Sequence, residues 1–200
     1  MPVIARLASY SLIAGLALQA VVVAAAAGDA HALFSEDGAL EIAQMLLAAG
    51  AAALLIGAAA RGPEARALLV VLGLGAVFAA IRELDGFLDR AITKGAYKAF
   101  EVPVVVAAAA VAWRRRARLA GDVASLLAGP AAYLLFFGAF VVLVHAQVLG
   151  QKELWHAVVV DVDSRLTKKA FEECSELMGY LMIAFGAFEA WLWARRSRPL

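Results

Sequence analysis

Six apolar runs divide this chain of 200 residues, and short charged segments separate them. In a membrane an α-helix satisfies its own backbone hydrogen bonds, and no run shows the alternation of a membrane β-strand. With 64% hydrophobic residues, the chain is also far more apolar than a soluble domain. We therefore predict an all-α, polytopic membrane bundle in one domain, 1–200, with six transmembrane helices. Their approximate spans are 8–27, 41–60, 67–85, 95–113, 123–145 and 176–194.

The connecting segments on the two sides of such a bundle differ in charge. The N-terminus, the loops between helices two and three and between helices four and five, and the C-terminus carry ten arginines and two acids, a net charge of +8. The opposite side carries eight basic and fourteen acidic residues, a net charge of −6. Because Lys and Arg accumulate in cytoplasmic loops, both termini are expected in the cytoplasm. The compact, Ala-rich chain favours the plasma (bacterial inner) membrane.

The first apolar run permits a second interpretation. Arg6, the run itself and the sequence Ala-His-Ala at 30–32 loosely fit a cleavable signal peptide. The run is longer than the usual apolar core of a signal peptide, which favours a retained helix. Cleavage would leave five helices in the same orientation, and the sequence leaves both alternatives open.

Ionisable residues concentrate in one layer near the outer surface. The apolar part of the fourth run, 102–113, would cover only about 18 Å of a membrane core about 30 Å thick. Its helix is therefore expected to enter the membrane with Glu101 included. Counting from Arg66 puts Arg82 just inside the outer boundary, and we predict an ion pair between Arg82 and Glu101. The predicted ligand-binding or ion-pair cluster consists of Glu41, Arg82, Asp85, Glu101, His145, Glu172 and Glu176.

Helical spacing adds neighbours to this cluster. Gln44 shares a helix face with Glu41, and Tyr180 shares one with Glu176. The segment 150–174 is too polar to span, but its apolar residues recur at helical spacing, so we predict an amphipathic outer-surface helix between the fifth and sixth spans. In the inner half of the sixth span, Glu189 is expected to pair with Arg196 or to reach the membrane interface.

The acids and the histidine of this layer are residue types that bind divalent metals. Carboxylates with an imidazole suit Mn, Fe or Zn, and the candidate metal ligands are His145, Glu41 and Glu176. The spacing matches no established metal motif, and pairing of the same acids with neighbouring Arg and Lys residues is the competing interpretation. Haem is disfavoured, because His31 and His156 lie in outer segments rather than at the depth of His145.

Three functions are compatible with this pattern. The leading hypothesis is a cation- or small-ligand-binding or accessory membrane protein. The alternatives are a small membrane metalloenzyme that uses the same cluster and a purely structural membrane subunit. Small residues on every helix favour tight packing, and a homo-oligomer or a membrane partner is consistent with them. The arginines of 114–118 are explained by orientation and by membrane lipid, so nucleic-acid binding is not expected.

Overall fold

The computed structural model describes residues 2–35, 38–62, 65–158 and 164–196. These residues form helices joined by short turns, and none of them lies in a β-strand, so the all-α prediction is confirmed for this part of the chain. The elements in chain order are α1 (Val3–Ala24), a π-helical turn (Ala25–Asp29), α2 (Ala30–Leu33), α3 (Ala39–Arg61), α4 (Arg66–Arg82), α5 (Asp85–Ala91), α6 (Tyr97–Leu127), α7 (Pro130–Phe140), a second π-helical turn (Val141–His145), α8 (Ala146–Leu149), α9 (Lys152–Val158) and α10 (Ser164–Arg196).

Helix α10 connects most of the bundle. It packs against both α3 and α7, while α3 packs against α4, and α4 against α6. Helix α1 contacts α10 more sparsely. The largest buried core is rich in alanine and leucine, including Ala51, Leu55, Leu69 and Ala187. Small side chains let helix backbones approach closely, which is a principal source of packing energy between membrane helices.

The contact between α7 and α10 requires glycine. A Cβ on Gly138 would lie 2.8 Å from the carbonyl oxygen of Gly179, and a Cβ on Gly186 would lie 2.9 Å from the backbone nitrogen of Leu135. Both neighbours are backbone atoms, which cannot rotate away as a side chain can. The two helices can therefore approach this closely only because both positions are glycine.

Four described helical segments are long and apolar enough to cross a membrane: Val3–Gly28, Ala39–Arg61, Pro130–Leu149 and Arg165–Arg196. The pair of α4 and α5, bent by 56°, qualifies as a fifth, broken segment. Helix α6 has 31 residues, but Glu101 and Arg114 confine its purely apolar stretch to 102–113. The structure therefore supports several apolar helices compatible with membrane spanning. At most five of the six predicted crossings correspond to described helices that are long and apolar enough to span.

The arginine cluster that was predicted to form a loop lies inside a helix. Helix α6 continues through Arg114 and Arg118 to Leu127, and α7 begins at Pro130 instead of residue 123. Arg, Ala and Leu are strong helix formers, so a run of positive charge does not by itself end a helix. The break comes at Gly129, whose backbone is extended, followed by Pro130 at the start of α7, where proline is well tolerated. The fifth predicted span therefore starts about two turns too early.

The extension of α6 also caps a neighbouring helix. Asp122 Oδ2 accepts a hydrogen bond from the backbone N–H of Leu68 at 3.1 Å. Leu68 lies in the first turn of α4, where backbone N–H groups have no partner within their own helix. Asp122 thus stabilises the start of α4, and it does not begin the next span.

The polar segment before the last span also differs from its prediction. Residues 152–158 form the short helix α9, residues 159–163 lie outside the described part, and α10 begins at Ser164 and runs for 33 residues. The prediction of a single surface helix over 150–174 is therefore wrong. Leu166 and Ala170 pack against a buried cluster of the bundle, so the second half of that segment belongs to the last helix.

Candidate functional site

Charged residues segregate to the two ends of the bundle. At one end the guanidinium groups of Arg61 and Arg195 lie over the ring of Trp191, 5.6 and 4.6 Å from its centroid. At the other end Lys169, near the start of α10, lies beside Glu41, near the start of α3. The basic end comprises Arg6, Arg61, Arg66, the arginines of 114–118, Arg195 and Arg196, and the acidic end comprises Glu41, Glu83, Glu172, Glu173 and Glu176.

Gln44 and Glu173 form the buried centre of the acidic end. The Gln44 side chain is 0% exposed, and its Nε2 donates to the backbone carbonyl and to Oε2 of Glu173, both at 3.1 Å. Lys169 Nζ lies 3.7 Å from Glu41 Oε1 and 4.0 Å from Glu173 Oε1. Gln44 Oε1 has no hydrogen-bond donor among the residues that the structure describes. Leaving such a buried acceptor unsatisfied costs about 1–3 kcal/mol, so a group that binds this oxygen would recover that free energy.

Tyr180 ties Glu83 to this centre. Tyr180 is 2% exposed, and its hydroxyl donates to Glu83 Oε1 at 2.7 Å. Glu83 lies in the two-residue break between α4 and α5, and Tyr180 lies two turns beyond Glu173 on α10. A third segment of the chain therefore contributes a carboxylate to the acidic end.

The remaining two glutamates of the acidic end lie on the same face of α10. Glu172 is 3.4 Å from Lys168 Nζ, and Glu176 Oε1 accepts a hydrogen bond from Gln147 Nε2 at 3.3 Å. Glu176 lies within electrostatic range of the other four glutamates of the acidic end. Their mutual repulsion makes this end of the bundle an electrostatically favourable place for a positive charge.

The structure brings together only some of the predicted cluster. Glu41, Glu172 and Glu176 lie at the acidic end as expected. The predicted ion pair between Arg82 and Glu101 does not form, because Arg82 Nη1 pairs with Asp85 Oδ2 at 2.8 Å across the break after α4. Both side chains of that pair are exposed, and the two residues lie only three positions apart in the chain. Glu101 Oε1 is buried without a hydrogen-bond partner in the described part of the chain.

His145 lies in the second π-helical turn, where it is exposed. Within the described ranges, no three His, Cys, Asp or Glu side chains are grouped as a metal ion would require. A metal site formed by His145, Glu41 and Glu176 therefore stays a prediction. The side chain of His156, which the sequence disfavours as a haem ligand, lies outside the described part.

Residues that the predicted cluster omitted make the best-defined contacts. Gln44 and Tyr180 were placed on the correct helix faces by spacing, but spacing did not show that they are buried or which acids they contact. Glu83 gave no sequence signal, because it lies in a short charged segment that resembles an ordinary loop. Its role depends on Tyr180, which is 97 residues away in the chain.

The basic end holds a second buried polar contact. Arg6 Nε and Nη2 donate to the two carboxylate oxygens of Glu189 at 2.6 and 2.8 Å, and the Tyr10 hydroxyl donates to Glu189 Oε1 at 2.8 Å. Tyr10 also stacks on Phe185 with ring centroids 4.5 Å apart. Glu189 is 4% exposed, so the expectation that it reaches the interface is wrong. Its direct partner is Arg6 of α1, and Arg196, the expected partner, acts on it only as a nearby positive charge.

Comparison with known proteins identifies no relative that would indicate a function for this site. No protein-family model matches the chain, and the searches of curated proteins and of solved structures also give no match.

Proposed function

We propose that this chain crosses a bacterial inner (plasma) membrane six times, with both termini and the basic end in the cytoplasm. The apolar helical segments support up to five crossings, and α6, which packs along α4, supplies the other. Its crossing brings Lys98 and Glu101 into the outer leaflet. Lys98 Nζ lies 5.8 Å from the Tyr97 ring centroid at the start of α6, where a long side chain reaches the interface.

In this orientation the acidic end faces outward and binds a cation. Gln44 Oε1 carries the proposal, because it is buried, lacks a donor among the described residues and belongs to a side chain that contacts the Glu173 carboxylate. Amide and carboxylate oxygens are the ligands that small, hard divalent cations such as Ca²⁺, Mg²⁺ and Mn²⁺ prefer. Such a cation would satisfy the amide oxygen and reduce the repulsion among the neighbouring glutamates.

A purely structural role is the second candidate function. It is favoured by Lys169, which lies between Glu41 and Glu173 as an ion-pair lock would. In that case an ammonium group of the chain itself balances the buried carboxylate, and the acidic end needs no external cation. A metalloenzyme that uses His145 in the same cluster is a further hypothesis and would require His145 to turn inward.

The test is cation binding to the full chain purified in detergent and stripped with a chelator. Calorimetric titration with Ca²⁺, Mg²⁺ and Mn²⁺ is expected to show one saturable site for at least one of them. Losing a hydrogen bond or contact to a charged group corresponds to a loss in affinity of about ten- to a hundredfold. Gln44→Met and Glu173→Gln should each weaken binding by this factor.

The matched control is Gln151→Met, which makes the same chemical change at an exposed position of the same end. It should bind as the wild type does. Two variants are used so that the test survives the misfolding of either one, which thermal unfolding without cation would identify. Absence of saturable binding by the wild type, or binding that survives both Gln44→Met and Glu173→Gln, would overturn the cation proposal and favour the structural one.

A further inference from the structure

A cavity of about 510 Å³ opens at the basic end between α4 and α6. Three arginines line it: Arg66 at the start of α4, and Arg115 and Arg118 in the extension of α6. Its remaining walls include the apolar side chains of Ala67, Val70 and Val111. The cavity therefore has a strongly basic rim and an apolar wall, and it exists because α6 continues as a helix past its arginines.

The arginines of this cavity are available to an external anion. No guanidinium group of Arg66, Arg115 or Arg118 forms a salt bridge or a hydrogen bond with a residue in the described ranges. Asp122 also lines the cavity, but its Oδ2 already accepts the hydrogen bond from the Leu68 N–H. Guanidinium groups match the geometry of phosphate oxygens and bind them with paired hydrogen bonds. The chemistry of this rim thus fits a phosphate-bearing ligand.

The depth of the cavity indicates where that phosphate comes from. Val111 belongs to the apolar stretch of α6, and the exposed Trp113 follows it just before the arginines. Tryptophan is enriched at the level of lipid headgroups, and basic pockets between membrane helices on the cytoplasmic side bind anionic headgroups. We infer that this cavity binds the phosphate headgroup of an anionic phospholipid, with the lipid chains leaving along Val70 and Val111. This lipid site rests on the proposed crossing and orientation of α6, but it is separate from the cation site and does not depend on it.

The chain offers a matched control on the same helix. Arg114 and Arg116 belong to the same cluster but do not line the cavity. Arg116 instead donates to the Trp113 carbonyl at 3.0 Å, and its guanidinium lies 4.7 Å from the Trp113 ring centroid. The variant R114A/R116A removes the same charge from α6 as R115A/R118A. Non-specific electrostatic attraction to anionic lipid would weaken equally in both double variants. Binding in the cavity would weaken mainly in R115A/R118A.

The experiment is native mass spectrometry of the full chain in detergent, titrated with phosphatidylglycerol or with zwitterionic phosphatidylcholine. Since an interfacial arginine contributes about a factor of five to anionic-lipid binding, R115A/R118A should weaken phosphatidylglycerol binding by about thirtyfold. R114A/R116A should change it much less, and phosphatidylcholine should bind weakly to every variant. Arg66→Ala on the opposite wall should weaken binding by about fivefold, which keeps the test available if R115A/R118A does not fold.

Three results would overturn this inference. Equal losses in the two double variants would show diffuse attraction, and equal binding of the two lipids would show that charge is not recognised. In a third arm, water-soluble glycerol 3-phosphate is added as a competitor. Displacement of phosphatidylglycerol at comparable concentrations would assign the cavity to a soluble phosphate compound instead of a lipid.

Discussion

Arg6 and Glu189, 183 residues apart in the chain, form a buried two-point ion pair at 2.6 and 2.8 Å. Arg6 is 7% and Glu189 4% exposed, so neither charge is hydrated by bulk water. Helix α1 otherwise contacts the bundle sparsely, and much of its surface is exposed. The pair therefore fixes the register of α1 against α10.

Arg6→Met should destabilise the protein strongly, because it leaves Glu189 buried without its partner. Removing one side of a buried pair costs about 3–5 kcal/mol, whereas replacing both sides with apolar residues is often close to neutral. The double variant Arg6→Met/Glu189→Met is thus expected to be more stable than Arg6→Met alone. Equilibrium unfolding by SDS titration in mixed micelles measures both free energies of unfolding. Wild-type stability of Arg6→Met would mean that the pair does not hold α1 in place.

The close contact of α7 and α10 predicts that alanine destabilises the protein at Gly138 but not at Gly75. In Gly138→Ala the new Cβ would lie 2.8 Å from Gly179 O and 2.9 Å from Ile183 N, so the helices must separate, at a cost of about 1–3 kcal/mol. Gly75→Ala is the control, because a Cβ there meets nothing within 4 Å. It should be neutral or stabilising by up to about 1 kcal/mol, since alanine favours the helix. Thermal unfolding of the two variants in the same detergent distinguishes them, and similar melting temperatures would contradict the packing.

Tyr180→Phe should lower the free energy of unfolding, because it removes the hydroxyl that donates to Glu83. The hydroxyl is within 2.7 Å of Glu83 Oε1, and a hydrogen bond to a charged group contributes about 1.5–3 kcal/mol. Tyr133→Phe removes the same hydroxyl from a side chain that is 55% exposed and should leave stability nearly unchanged. The free energies of unfolding are measured in the presence of a chelator, so that cation binding does not contribute. An equal effect of the two changes would argue against a buried hydrogen bond at Tyr180.

Cysteine labelling at the two ends of α6 tests the crossing and the orientation together. In a Cys174→Ala background, Thr93→Cys precedes α6 at the acidic end, and Ala120→Cys lies in its extension at the basic end; both positions are exposed. A membrane-impermeant maleimide applied to intact cells is expected to label Thr93→Cys, and Ala120→Cys only after lysis. The reverse pattern would place the acidic end in the cytoplasm. Labelling of both variants in intact cells would mean that α6 does not cross.

Much of the helical framework follows from local properties of the sequence. The predicted spans of α3 and α4 agree with the observed helices to within about three residues and that of α1 to within about five, because the length of an apolar run is a local quantity. The net positive charge of one end and the net negative charge of the other also follow from the order of charges along antiparallel helices. The prediction was less accurate at Arg114–Arg118, since a helix ends at a residue that breaks it and not where its side chains become charged.

The contacts between helices were decided by the tertiary structure alone. The sequence shows that Glu189 is an acid on an apolar helix, but the rotation of α10 relative to α1 decides that Arg6 reaches it. In the same way, the register of α3 against α10 buries Gln44 beside Glu173, and the bend after α4 brings Glu83 to Tyr180. Rotation and register are set by the sum of many small packing contacts, to which no single residue contributes a recognisable signal. The sequence by itself therefore determined the position of most helices and the net charge of the two ends, and the packing determined which charged groups meet.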